Sequence, residues 1–246
     1  MNRIRAKRIP RTERKASLPQ LVVDETSGAP PSCFRVSRLR DGLPALDPLK
    51  LSDKHAGAVA ALLPVLMCGE ESAILTFEAL SVTHSAAALA LIGIAREEQA
   101  HELLLRRLKS ALPDASDPIL RRAARRFFLQ IAARDTGLHC ARVAALDSAV
   151  CILLGALRAR GSPLAKESTM SSILTRIHRD EARHVRVTAQ IATAMTTTPQ
   201  ARRAAFDARE ELLALLSLRF DALECLGVDP DRLSRQLRDL PRALFG

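Results

Sequence analysis

Long stretches of the chain alternate apolar and polar positions with a period near 3.6, separated by short segments rich in proline, glycine, serine or threonine. The pattern predicts a first helix over about 52–82. Pro64 inside it predicts a kink or a later start. A second helix is expected over about 86–111, after the "SVTHS" connection. "LPDASDP" (112–118) then predicts a loop, and a long third helix covers about 118–159 until "RGSP" stops it. A fourth spans about 165–195, "TTTP" starts a fifth over about 199–226, and Asp229-Pro230 opens a short sixth at about 230–240. Few segments show the β-branched and aromatic enrichment of strands. The expected fold class is all-α, a bundle over about 52–195 with additional C-terminal helices.

Residues 1–50 do not follow this pattern. They hold Pro10, Pro19, Pro30, Pro31, Pro44 and Pro48 and read as an extended or disordered lead-in. Two segments are therefore expected, 1–50 and a helical domain at 51–246. The net charge of +10 is also uneven. Residues 1–15 hold seven Lys/Arg against one Glu, so the high isoelectric point mostly reports this arm. A nucleic-acid role for the arm is an alternative, but it lacks interleaved aromatics and nucleic acid is not the expected partner. Five cysteines without a C-x-x-C pair are expected to be free thiols in a reducing compartment. The basic start has no apolar region after it, and no 18-residue apolar run occurs. The expectation is a cytoplasmic protein without a secretory signal or membrane span.

Chemistry enters where acids fall on apolar stripes. At 100° per residue, Glu98 aligns with Ala87, Leu91, Ile94 and Leu105, and Glu181 with Leu174, Ile177, Thr188 and Met195. Each is followed three residues later by a histidine on the same face, His101 and His184. Asp147 is centred among Leu129, Cys140, Val143, Ala144, Cys151 and Leu154. Glu70 is centred among Val59, Leu63, Leu66, Ile74 and Phe77, with Glu71 and Glu78 at the edge. Four buried carboxylates repel one another and resist burial, and two divalent cations cancel that charge. The hard oxygen and imidazole donors suit iron or manganese better than a structural zinc. The arginines at 176, 179, 183 and 186 point away from this face. His178 is a weaker additional ligand candidate. Cys140 and Cys151, on the stripe of Asp147, are expected to be core thiols.

A Glu from each of two helices and Glu-x-x-His from each of two more is the arrangement of di-metal carboxylate bundles, which this chain approaches with Asp147 in place of one Glu. On these residues the chain resembles the ferritin-like superfamily over about 55–195. "EESAILTF" is similar to the bacterioferritin-type pattern E-x-x-A-I-x-x-[YF], which favours Glu70 over Glu71. "DEARH" looks like the signature of oxygen-activating members such as bacterial N-oxygenases and acyl-carrier-protein desaturases. The resemblance implies a ferritin-like four-helix bundle with Glu70, Glu98, His101, Asp147, Glu181 and His184 as ligands. Asp147 departs from the usual Glu and is one methylene shorter. The resemblance further implies that Asp180 orients His101 and Glu97 orients His184. The cofactor would be two iron ions, with manganese or a mixed pair as alternatives, and O2 would be co-substrate. The expected activity is oxidation of a small, partly apolar organic substrate by hydroxylation, N-oxygenation or desaturation. Electrons would come from a separate donor protein, and a homodimer is compatible with this reading. The chain has no tyrosine, which excludes a tyrosyl radical. Ferroxidase or iron-storage activity, and a metal-free or dimanganese structural bundle, are the alternatives.

Overall fold

The computed structural model describes residues 32–36 and 46–245. The basic arm and most of the proline-rich lead-in lie outside them. The described residues are all-α: nine α-helices and two short 3-10 turns, without a strand.

Capping residues set most helix starts. In α1 (Asp53–Thr83) the Ser52 side chain accepts from the His55 N–H, and Pro64 lies inside the helix without ending it. A 3-10 turn (Ser85–Ala87) leads into α2 (Ala88–Ser110). Asp117 accepts from the Leu120 N–H at 2.8 Å and opens α3 (Pro118–Ile131), with Pro118 where no N–H is needed. Here the chain departs from the predicted pattern. The expected single helix over 118–159 is two, because Asp135 leaves the helical conformation and caps a new one. Its carboxylate accepts from the Leu138 N–H at 2.8 Å and opens α4 (Thr136–Leu157). Gly137, in the first turn of α4, lies against the Met195 backbone; a Cβ there would sit 3.0 Å from the Met195 carbonyl carbon. Leu129, on the far side of the break, therefore loses its register with Asp147 and is 38% exposed.

A four-residue helix α5 (Pro163–Lys166) precedes α6 (Ser168–Met195), capped by Glu167. The expected fifth helix also divides, into α7 (Thr198–Ser217) and α8 (Phe220–Cys225). Arg219 at the break turns to an ion pair with Asp117. Gly227, at φ +79°, lets the chain leave α8, and Asp229 caps α9 (Pro230–Arg238).

Two helix pairs, α1 with α2 and α4 with α6, form the centre, and α2 meets α6. α3 lies on α1, and α7 lies on α4. The buried apolar residues form two clusters. One includes Val59, Leu63, Leu105, Leu154 and Ile173; the other includes Phe77, Leu91, Ile94, Cys140 and Ala192. Each of the four central helices passes from one cluster to the other. The crossing falls between Cys68 and Phe77, between Ala95 and Leu105, at Ala145–Leu146, and between Ile177 and Ala189. The acids and histidines singled out above occupy this layer. α1 and α4 are long and apolar enough to cross a membrane, yet more than half of each apolar window is buried within the fold.

The cysteine expectation needs correction. Cys33 and Cys68 are disulfide-paired, with Cα atoms 5.3 Å apart, while Cys140, Cys151 and Cys225 are free. The pairing was not legible because Cys33 lies in the lead-in, outside any periodic pattern.

Candidate metal centre

The polar layer draws on all four central helices. Donor atoms of Glu70 (α1), Glu98 and His101 (α2) and Glu181 (α6) all lie within 4.8 Å of one another, a grouping that can hold a metal ion. His101 Nδ1 is 3.4 Å from both Glu70 Oε2 and Glu98 Oε2, and 3.6 Å from Glu181 Oε1. His184 Nδ1 lies 3.0 Å from Glu98 Oε1 and 3.6 Å from Glu181 Oε2. Glu98 therefore stands between the two rings, whose centroids are 6.1 Å apart. Asp147 (α4) is buried and electrostatically tied to Glu181, Glu98, Glu70 and His184. It stands beside the donor group of four rather than in it, as does His184.

The outer nitrogens face a second pair of acids. His101 Nε2 is 3.3 Å from Asp180 Oδ2, and His184 Nε2 is 2.8 Å from Glu97 Oε2. The carboxylates thereby set which edge of each ring turns inward. Arg183, read as turned away from the ligand face, pairs with the same Glu97 oxygen that faces His184. Glu97 is thus clamped between a guanidinium and an imidazole.

Burial and mutual repulsion set the protonation pattern. Burial pushes Glu70 and Asp147 well above the usual carboxylate range, with the charge of Glu98 adding at Glu70 and that of Glu181 at Asp147. Glu181 is raised by burial and then by Glu98. At Glu98 burial also opposes ionisation, but His101 and His184 outweigh it and hold the group low. Burial disfavours both imidazolium ions, yet Glu70 and Glu98 carry His101 up to about 11, and Glu181 and Glu98 carry His184 up to about 11. Without a cation, two imidazolium ions and retained carboxyl protons balance the cluster.

The residues fit a cation. Glu70 Oε2, Asp147 Oδ2, His101 Nδ1 and His184 Nδ1 are buried without an aligned hydrogen-bond partner among the described residues. Orphaned polar atoms are costly in an interior. Here they come from four helices into one layer and are carboxylate and imidazole donors of the kind that bind divalent metal ions.

Adjacent residues in α1 have opposite roles. Glu70 turns to His101, while Glu71 turns to the lead-in and is fully buried. Its Oε2 accepts from the Cys33 and Phe34 N–H groups at 2.7 and 2.8 Å. The sequence reading put Glu71 at the edge of the stripe; the structure gives it a buried anchoring job. The i, i+3 spacing from Cys68 is the one signal that pairs them. His178 is outside the cluster, its carbonyl accepting from Cys151 Sγ at 3.9 Å. Burial, reinforced by Asp147 at Cys140 and by Glu181 at Cys151, raises both thiols to about 12 and keeps them protonated.

A cavity of about 1090 Å³ opens beside the layer, between α1, α3, α4 and α7. Glu70, Glu98, Asp147 and Glu181 form part of its wall, and most of the remainder is apolar. Comparison with protein-family models, with curated proteins and with solved structures finds no match to this chain.

Proposed function

We propose that the chain is a ferritin-like, di-metal oxidoreductase that uses O2 to oxidise a small organic substrate held in the cavity. One observation carries this reading: the orphaned donors of the buried layer share a wall with a cavity large enough for an organic molecule. Pockets for small ligands are about 300–1,000 Å³. A ferroxidase needs a path for ions but not an apolar chamber of this size.

Glu70, Glu98, His101, Glu181 and His184 would hold two iron or manganese ions, with Asp147 completing the set. The bound pair would supply O2 activation and electron transfer. The chain's own contribution is positional and electrostatic. Asp180 and Glu97 hold the imidazole rings by their outer nitrogens, which keeps Nδ1 available inward. Metal binding there would displace protons from both imidazoles and from the raised carboxyl groups, so acid would weaken it. Phe77, whose ring centroid is 6.0 Å from that of His184, closes one side of the layer against water. The apolar wall around the cavity excludes water from the reacting end of a substrate.

Metal analysis of the purified chain, followed by optical spectroscopy after Fe(II) and O2 are added, tests the proposal. About two metals per chain and a transient charge-transfer absorption are expected. A chain that retains no metal at neutral pH refutes it. Continued mineral growth with many irons per chain would instead favour ferroxidase or storage activity.

A further inference from the structure

The cavity has a lopsided charge. Its acidic lining residues, Glu70, Glu98, Asp147 and Glu181, all belong to the buried layer. Away from that layer the charged lining residues are Arg125 and Arg134. Neither forms an ion pair with a carboxylate among the described residues. Arg125 is partly committed: its Nε donates to the Cys33 carbonyl at 3.2 Å, and its guanidinium lies over the Phe34 ring, 5.8 Å from the centroid. Arg134 is different. It is exposed, it stands in the link between α3 and α4, and it makes no hydrogen bond or ion pair with a described residue.

Its neighbours on the wall reinforce the polarity. His139 Nδ1 accepts from the Ala133 N–H at 3.2 Å, which leaves Nε2 as the protonated, donating nitrogen. Burial lowers the His139 pKa against the pull of a hydrogen bond to the Ile131 backbone, so this ring is neutral. Thr136 adds a hydroxyl. The nearby acid, Asp135, does not line the cavity and is occupied with the Leu138 N–H. The α3–α4 link thus places one cation, a neutral imidazole and a hydroxyl on the wall, and Asp135 is not part of that wall. Between the link and the metal-binding layer the wall includes Val143, Leu146 and Leu80. From Thr136 to Asp147 along α4 is about 16 Å at the helical rise. An extended alkyl chain of about a dozen carbons spans that distance, given bonds near 1.5 Å.

We infer that the cavity binds a single-chain amphiphile with a monoanionic, carboxylate head. Its head meets Arg134 at the α3–α4 link, and its apolar chain runs toward Glu70, Glu98, Asp147 and Glu181. This deepens the proposed oxidoreductase reading and rests on it for what happens at the inner end, though not for binding. A cationic head finds no counter-charge at this link. A chain without a head leaves the guanidinium unanswered.

The test is calorimetric titration of the full chain with dodecanoate, dodecylamine and dodecanol, each below its micellar concentration. It is run on metal-free and on Mn(II)-loaded protein, with metal stoichiometry measured separately. Dodecanoate is expected to bind saturably with one site per chain, dodecanol more weakly, and dodecylamine weakest. Arg134→Gln should weaken dodecanoate about two- to fivefold, the worth of an exposed ion pair. Arg134→Lys should keep most of the affinity. The exposed position makes both variants foldable, which their thermal melts check. Equal binding of dodecylamine, absence of saturable dodecanoate binding, or unchanged affinity in Arg134→Gln overturns the inference. Dodecanoate binding without Mn(II) binding retains the ligand assignment and removes the di-metal reading. Two bound metals without dodecanoate binding do the reverse.

Discussion

Asp147→Asn should stabilise the metal-free protein while weakening its hold on metal. Asp147 is buried, its Oδ2 has no aligned partner, and Glu181, Glu98 and Glu70 push its ionisation in the same unfavourable direction as burial. Keeping this group protonated in the fold costs stability at neutral pH, and removing the titrating carboxyl relieves about 1–3 kcal/mol, of the order of an unsatisfied buried group's cost. The amide also brings two N–H donors toward carboxylates that now repel their neighbour. For a chain of this size, each kcal/mol moves Tm by about 2–4 °C. The expected gain is therefore about 2–12 °C in EDTA-treated protein at pH 7, read by calorimetry. The pH dependence has a definite sign. Because the folded pKa of Asp147 is raised, the folded state holds a proton that the unfolded state has released. Stability from this group is intact below the unfolded value, near 3.9, and declines as pH rises toward the folded value. Wild type and variant should therefore converge near pH 4 and separate as pH rises. Excess Mn(II) should stabilise the wild type, by about 2.7 kcal/mol at a hundredfold excess over Kd, and the variant less. A metal-free variant no more stable than wild type at pH 7 would refute the premise that the Asp147 carboxyl is frustrated in the metal-free fold.

Other positions separate metal chemistry from structural support. Asp180→Asn and Glu97→Gln remove the charges facing the outer ring nitrogens, and each should reduce metal affinity about 10–100-fold, measured by competition with a chelator. Equal affinity in both would mean that these carboxylates do not orient the rings. Serine at Cys33 and Cys68 opens a closed loop with a sequence separation of 35. The chain-entropy model gives a loss of about 4 kcal/mol, visible as a lower denaturant midpoint. A midpoint unaffected by a reducing agent in the wild type would argue against the bond's contribution. Arg209 is 1% exposed and donates to the Ala145, Leu237 and Asp239 carbonyls and the Ser148 hydroxyl. Arg209→Met should cost about 2–4 kcal/mol by unsatisfying several of these acceptors at once. A thermal midpoint within 1–2 °C of wild type, against the shift such a loss implies, would rule that out.

The helices were legible because periodicity and caps agree over most of the chain. The divisions at 132–135 and 218–219 were not. In both, helical propensity continues through the break, and the decision falls to contacts made elsewhere: Gly137 against the Met195 backbone, and Arg219 against Asp117. Such tertiary contacts override local preference. Splitting the expected third helix displaced Leu129 but left Asp147 in place, because Asp147 lies well inside α4. The inward facing of Glu98, His101, Glu181 and His184 survived for the same reason: each sits many residues from a helix end, where a boundary error of two or three residues changes nothing.

Glu70 and Glu71 mark how far a single-helix reading reaches. Periodicity distinguishes them by 100°, and the structure has Glu70 facing His101. Periodicity could not give Glu71 a task, since the partners are the N–H groups of Cys33 and Phe34, delivered by a non-periodic segment 37 and 38 residues upstream. The consequence reaches the cavity. Glu71 and the Cys33–Cys68 bond fix the segment on one side of α1, and Phe34 from that segment joins the wall onto which Glu70 opens from the other. A carboxylate that holds backbone thereby shapes the chamber served by its neighbour. Loss of Glu71 should alter ligand binding and leave metal stoichiometry intact, whereas loss of Glu70 should impair metal binding first. That divergence is the reason to measure the two substitutions side by side, with metal stoichiometry and dodecanoate affinity as separate readouts.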